Sequence, residues 1–289
     1  MKYVFFGTPR FAAIILDRLI RADMPPVALV CNPDRPVGRK KIITGPLTKL
    51  VVAENGTARG GGAATAIAVF QPEKLDAAFI EALRALKPDF FVVAAYAKII
   101  PQGVLDIPRL GTLGTHPSLL PKYRGASPIQ SVLLAGEEQT GTTIYAMDEK
   151  MDHGGIYAQK PMAIVDGETY LGLQEKLAQL SAETLIEVIP AFYSGAIRPR
   201  KQDEAAVTFT KKFTTEDGFV DEKDLRVAQN GNDTENARAI LRKINALNPE
   251  PGAWTIIGGK RTKLLEAKIE HGSLKLISVQ EEGQKMKRL

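Results

Sequence analysis

The chain opens with a short apolar run, Tyr3–Phe6, then a segment, Pro9–Ile20, whose apolar positions recur at helical spacing, then a second apolar run, Val27–Cys31. The same alternation returns with Ile80–Leu86 and Phe90–Ala95. Short and nearly continuous apolar runs fit the strands of a parallel sheet, which are buried on both faces by the helices that connect them. The pattern therefore predicts an α/β, doubly wound, Rossmann-like domain. In such sheets ligands sit beyond the carboxyl ends of the strands, so the loops after the apolar runs are where a site belongs.

Three interruptions divide the rest. Between Glu54 and Ala68 the chain carries Gly60-Gly61-Gly62 and no hydrophobic period, which predicts a flexible surface loop. A phosphate-binding cradle is the alternative there, but the stretch lacks the Lys-Ser/Thr ending and no helical pattern follows directly. Leu171–Ile189 has helical periodicity that is expected to stop at Pro190, and the polar, Pro/Gly-containing stretch Ser194–Asp203 reads as a linker. Beyond it a helical pattern at Thr234–Leu247 precedes apolar runs at Trp254–Ile257, Lys263–Ala267 and Leu274–Val279, separated by Gly258-Gly259 and His271-Gly272. These predict a small β-barrel, OB-like, as a second domain. The expected division is residues 1–190, a linker at 191–206, and residues 207–289.

Composition narrows the chemistry. No run approaches the ~18 apolar residues of a membrane span, and the N-terminus lacks the basic, then apolar, design of a secretion signal, so a cytoplasmic protein is expected. One cysteine, Cys31, excludes an intrachain disulfide. With only His116, His153 and His271 besides, no cluster has zinc-ligand spacing, and a metal-dependent mechanism is not expected. Of the net charge of +5, residues 200–289 carry +3, from 17 Lys and Arg against 14 Asp and Glu. That tilt suits contact with a phosphate backbone, and equally a solvated, charge-mixed surface.

The densest group of unusual residues is Gly111–Pro128. An apolar-to-small strand ends there at His116, and Pro117 stops further ladder pairing. A second strand pattern, Thr142–Ala146, leads into Met147-Asp148-Glu149-Lys150-Met151-Asp152-His153-Gly154-Gly155, a loop offering carboxylates. His116 with one of these makes a candidate acid/base pair. Spacing alone fits a turn histidine and a turn aspartate as well.

The run His116-Pro117-Ser118-Leu119-Leu120-Pro121-Lys122-Tyr123-Arg124-Gly125-Ala126-Ser127-Pro128-Ile129-Gln130 closely resembles the signature of folate-dependent formyltransferases, and Gly141–Gly154 resembles their aspartate loop. Phe6–Pro9, Asn32–Arg39, Val69–Pro72 and Ala94–Pro101 extend the resemblance upstream. In the second domain Thr210–Phe213, Glu216–Gly218 and above all Ile244–Trp254 resemble the C-terminal domain of the methionyl-tRNA formyltransferases. The resemblance implies transfer of a formyl group from 10-formyltetrahydrofolate to the α-amine of methionyl initiator tRNA, by a monomer, without a metal. It implies that His116 stabilises the oxyanion and moves protons and that Asp152 orients it. Ser118, Leu119, Leu120 and Pro121 would line the folate site, with Tyr96 and Lys98 walling the pterin pocket. Arg39, Lys40 and Lys41 would belong to a loop that approaches the tRNA.

One position departs from the pattern. Where the family has a catalytic asparagine two residues before the histidine, this chain has Gly114. Residues two apart on a strand share a face, so Gly114 and His116 are expected to look into the site and Thr115 away from it. The missing donor predicts slower catalysis, a water in the space beside Gly114, and a faster Gly114→Asn variant. Ala97, where the pattern has glycine, and a longer Gly56–Ala68 loop are lesser departures. An amino-sugar N-formyltransferase and a non-catalytic folate- or tRNA-binding homologue are the competing readings.

Overall fold

The structure is a computed structural model and describes residues 1–37, 42–58, 67–231 and 233–289. The expected βαβ rhythm is present. Strand β1 (Tyr3–Phe6) leads into α1 (Arg10–Arg21), which buries Phe11, Ala12, Ile15, Leu16, Leu19 and Ile20 along one stripe, the 3.6-residue period read from the sequence. Then come β2 (Ala28–Val30), a short antiparallel pair β3 (Arg35–Val37) and β4 (Ile42–Thr44), α2 (Leu47–Ala58) and β5 (Ala68–Phe70). Helix α3 (Ala77–Ala85) starts at Asp76, whose carboxylate accepts from the Phe79 N–H and so satisfies one of the open donors of the first turn. It is followed by β6 (Phe90–Ala94), α4 (Gln102–Leu105), β7 (Thr112–His116), a two-residue β8 (Arg124–Gly125), α5 (Pro128–Ala135), β9 (Gln139–Ala146), β10 (Ile156–Ala163) and α6 (Tyr170–Tyr193).

One seven-stranded sheet runs in the order β10-β9-β7-β6-β1-β2-β5. From β7 to β5 every pairing is parallel, and β9 lies antiparallel to β7. The chain steps outward in one direction from β1 through β2 to β5, then in the other through β6 to β7. The order thus reverses between β1 and β6, the doubly wound arrangement with its crevice beyond the strands' carboxyl ends. All residues of β1, β2, β6 and β7 are buried, as strands covered on both faces must be.

Two readings of the sequence need correction. The stretch from Glu54 begins as helix: α2 continues to Ala58, with the Asn55 amide donating to the Val51 carbonyl and to Asp17 of α1. Residues 59–66 of that loop lie outside the described residues. Helix α6 does not stop at Pro190 but carries it inside and runs on to Tyr193. A proline within a helix removes one hydrogen bond and costs roughly 3 kcal/mol. Here Val188, Ile189 and Phe192 are buried around it, and the Phe192 ring meets Phe90 and Tyr157 edge-on, which offsets that cost.

After β11 (Phe209–Thr210), the C-terminal part consists of α7 (Glu222–Gln229), α8 (Thr234–Leu247), β12 (Ala253–Ile257), β13 (Lys260–Glu270), β14 (Ser273–Glu281) and β15 (Lys287–Arg288). The α8 boundaries are those read from the pattern, and Asp233 caps it by accepting from the Asn236 N–H. Where the sequence predicts a barrel, the strands form an antiparallel sheet ordered β12-β13-β14-β15, with β12 and β15 as its edges among the described residues. Leu225, Ala228, Ala237, Ile240 and Ile244 of the helices close its core with Ala253, Leu264 and Leu274. By contact the chain divides into two compact units: residues 1–124, 141–161 and 175–208, and residues 125–140, 162–174 and 209–289. No described helix is long and apolar enough to cross a membrane.

Candidate active site

The motifs from Phe6 to His116 lie at carboxyl ends of parallel strands, where side chains stitch their loops together, while the aspartate loop follows the antiparallel β9. The Thr8 hydroxyl after β1 accepts from the Asn32 N–H after β2 (3.1 Å), and the Thr48 hydroxyl donates to the Gly7 carbonyl (3.0 Å). Gln71 after β5 donates to the Asn32 carbonyl (3.0 Å), and the Lys98 ammonium after β6 donates to the carbonyls of Pro72 (2.6 Å) and Glu73 (2.9 Å). Lys98 thus braces this rim. The Tyr96 ring is buried edge-on against Phe6, and burial pushes its phenol up to about 12, so the group is a neutral hydroxyl; it has no hydrogen-bond partner among the described residues.

His116 closes β7 with 5% of its surface exposed. Its Nε2 lies 2.9 Å from the Tyr123 carbonyl oxygen. A carbonyl only accepts, so Nε2 carries a proton and Nδ1 is the nitrogen left to exchange one. Nδ1 faces Asp152 Oδ1 at 3.6 Å. Of the carboxylates in the 147–155 loop, Asp152 is the one brought to His116. Asp148 is engaged elsewhere, accepting from His153 Nδ1 at 2.7 Å and from the Lys150 N–H at 2.9 Å.

Asp152 adopts the left-handed conformation, with φ of 51°, uncommon for a residue with a Cβ. Two devices hold it there. Gly154 packs so closely on β9 that any Cβ would overlap the Ala146 carbonyl oxygen, and Ala146 N–H donates to the Gly155 carbonyl at 2.8 Å. The Gln202 amide donates at 2.8 Å to the carbonyls of both Asp152 and Gly154. Gln202 Oε1 in turn accepts from Arg124 Nε (3.1 Å) and a terminal guanidinium nitrogen (2.8 Å), and Arg124 pairs with Glu204 at 2.7 Å. Arg124 is buried, so Gln202 and Glu204 supply the partners its charge requires. Gln202 escapes the sequence reading because it lies in the polar stretch read as a linker; its sole signal was an amide among charges.

Ser118 and Leu120 are buried and internally satisfied. The Ser118 hydroxyl donates to the Lys122 carbonyl (2.7 Å), and Thr143 on β9 donates to the Ser118 carbonyl (2.7 Å) while accepting from the Leu120 N–H (3.1 Å). Gln159 donates to the Leu120 carbonyl at 2.7 Å, and Leu119 and Pro121 are half-buried. Arg39, Lys40 and Lys41 lie outside the described residues.

The space beside Gly114 is not open for water. Antiparallel register sets Gly114 opposite Tyr145, and a Cβ at 114 would lie 2.5 Å from the Tyr145 Cε1 and Cζ atoms and 2.8 Å from Met147 Cγ. The Tyr145 hydroxyl donates to Asp152 Oδ1 at 2.8 Å. Burial first, then the charge of Asp152, raises the phenol well above its ordinary range and keeps it a donor.

Residues 1–189 match the model of the formyl transferase family and residues 234–286 that of the formyl transferase C-terminal domain. The chain is 40% identical over 267 residues to the methionyl-tRNA formyltransferase of Halorhodospira halophila, covering 92% of this chain and 79% of that one. It is 37% identical to that of Dictyoglomus thermophilum, over 93% of this chain and 80% of that one. Among solved structures, the methionyl-tRNA formyltransferase of Clostridium thermocellum superposes with a TM-score of 0.61 at 15% identity, over 97% of this chain and 98% of that one. HypX of Aquifex aeolicus in complex with tetrahydrofolic acid superposes with 0.66 at 17% identity, all of this chain spanning 46% of that longer protein. At these identities the two structures share the fold, while the sequence matches carry the kinship: the chain belongs to the formyl transferase family, among the methionyl-tRNA formyltransferases.

Proposed function

We propose that the chain transfers the formyl group of 10-formyltetrahydrofolate to the α-amine of methionine charged on initiator tRNA. The observation that carries this reading is the pair of buried His116 and half-buried Asp152, 3.6 Å apart at the carboxyl end of β7. The neutral amine attacks the formyl carbon, and the C=O electrons move onto oxygen to give a tetrahedral oxyanion. Collapse re-forms the carbonyl and breaks the bond to the folate nitrogen. The amine loses one proton and that nitrogen gains one, so the net change is formyl for hydrogen. His116 Nδ1 carries the proton, and as an imidazolium it donates to the oxyanion. Asp152 orients the ring and stabilises its charged form.

Ser118, Leu119, Leu120 and Pro121, with Tyr96 and Lys98 on the neighbouring rim, form the folate side of the site. Arg39, Lys40 and Lys41, with the mildly basic C-terminal region, meet the tRNA, and the enzyme works in the cytoplasm as a monomer. Assay of methionyl initiator tRNA formylation with 10-formyltetrahydrofolate tests the reading. The expected result is turnover that falls by about a hundredfold or more in His116→Ala. A wild-type protein that binds folate or tRNA but formylates nothing would instead establish a binding protein, and one that formylates an amino sugar in preference to methionyl-tRNA would establish the sugar enzyme.

A further inference from the structure

We propose that Tyr145 is a positioning residue of this site: its ring takes the volume beside His116 that Gly114 leaves, and its hydroxyl holds Asp152 Oδ1 toward the imidazole. The inference rests on the reaction proposed above and adds to it a residue outside the His116–Gln130 run.

Three observations converge on Tyr145. Position 114 and position 145 are cross-strand partners on β7 and β9, on the face that carries His116 and its partner Thr143. They also exclude one another. With a Cβ at 114 only 2.5 Å from two carbons of the ring, any side chain there must push Tyr145 aside, so the absence of the asparagine and the presence of the tyrosine are one packing solution. Finally, the ring delivers its hydroxyl to the same carboxylate oxygen that faces His116 Nδ1, at 2.8 Å against 3.6 Å.

Packing alone does not account for the hydroxyl. Tyr145 shares a small core cluster with Leu120 and Ile156, and a phenylalanine would fill it equally well without taking a phenol out of water. The phenol is a donor at every pH at which the enzyme works, since burial and the Asp152 charge both oppose its ionisation. A neutral donor fixes the carboxylate without cancelling its charge, so the whole of that charge remains available to an imidazolium at His116. The Asp152 loop, held in a left-handed conformation, gains a third anchor besides Gly154 and Gln202.

The test is formylation kinetics and thermal unfolding of wild type, Tyr145→Phe, Gly114→Asn, and the double variant Gly114→Asn/Tyr145→Val. Tyr145→Phe keeps the ring and the fold. It is expected to lower kcat about tenfold, the effect of losing one hydrogen bond to a charged group, with KM for both substrates within about twofold. Gly114→Asn is expected to lower kcat at least as far by displacing the ring, and removing the ring in the double variant is expected to recover about tenfold over Gly114→Asn. On an Asp152→Asn background, Tyr145→Phe is expected to have no further effect on kcat. Wild-type kcat in Tyr145→Phe, or a Gly114→Asn protein faster than wild type, would overturn the proposal while leaving the reaction intact. A wild-type protein without formylation activity overturns the reaction, and this inference with it.

Discussion

His116 and Asp152 face one another across 3.6 Å but reach that place by opposite means. His116 stands at the end of a strand paired on both sides, parallel to β6 and antiparallel to β9, and its position is set by ladders of backbone hydrogen bonds that no single side chain controls. Asp152 stands on a loop in the left-handed region, held by individual groups: the bare Cα of Gly154, the amide of Gln202, the hydroxyl of Tyr145. A site half built of ladder and half of side chains should be robust to substitution on the strand face turned away from the site and fragile on the loop, even at positions far from the reacting atoms.

Gly154→Ala is the severest way to break that contrast. The added methyl overlaps a backbone oxygen that cannot move without disturbing β9, so the loop must shift instead. Displacement of a catalytic group by an ångström costs on the order of a hundredfold in rate, and kcat is expected to fall by about that much while far-ultraviolet circular dichroism stays unchanged. Retention of wild-type kcat would mean that the loop finds its place without the close approach.

Gln202→Ala comes next. It removes both amide donors to the loop and takes the Gln202 acceptor from the buried Arg124, whose pair with Glu204 stays. A loss of about 2 kcal/mol in urea unfolding is expected, with kcat down about tenfold. An effect on stability without one on kcat would separate the Arg124 network from the positioning of Asp152.

Thr115→Val sharpens the comparison from the strand side. Thr115 adjoins His116 in sequence, yet its buried hydroxyl has no hydrogen-bond partner among the described residues. Replacing it with a side chain of the same shape removes an unsatisfied polar group, so stability is expected to rise by up to about 1 kcal/mol with kcat within about twofold of wild type. A large fall in kcat would show that the ladder transmits side-chain changes after all.

The smallest effect lies outside the site. Asp217 accepts from Lys211 and from the Thr214 N–H at 2.7 Å, chiefly the Lys211 bond holding its pKa at about 2 instead of 3.8. A carboxylate depressed on folding contributes stability above its unfolded pKa and loses it as pH falls through the folded one. The contribution is therefore present above about pH 4 and disappears between about pH 4 and pH 2. Being at the surface it is screened, and Asp217→Asn is expected to flatten the acid limb of the thermal unfolding midpoint only slightly, and less so at high salt.

Apolar rhythm alone determines much of this molecule. Local periodicity places β1, α1, β2, β6 and α8 because each element must bury one stripe or both faces, and the motif order marks His116 and the loop carrying Asp152 at strand ends. What it leaves undecided depends on groups far apart in the chain. The stretch after Asn55 reads as loop and Pro190 as a helix end, because their packing partners, Asp17 for one and Phe90 and Tyr157 for the other, are invisible to a local window. Gln202 meets Asp152 from 50 residues away. The vacancy at Gly114 is filled by Tyr145 only because the β7–β9 register sets the two opposite one another. A slip of one residue would turn that ring to the other face of the sheet, and nothing short of the folded pairing fixes the register.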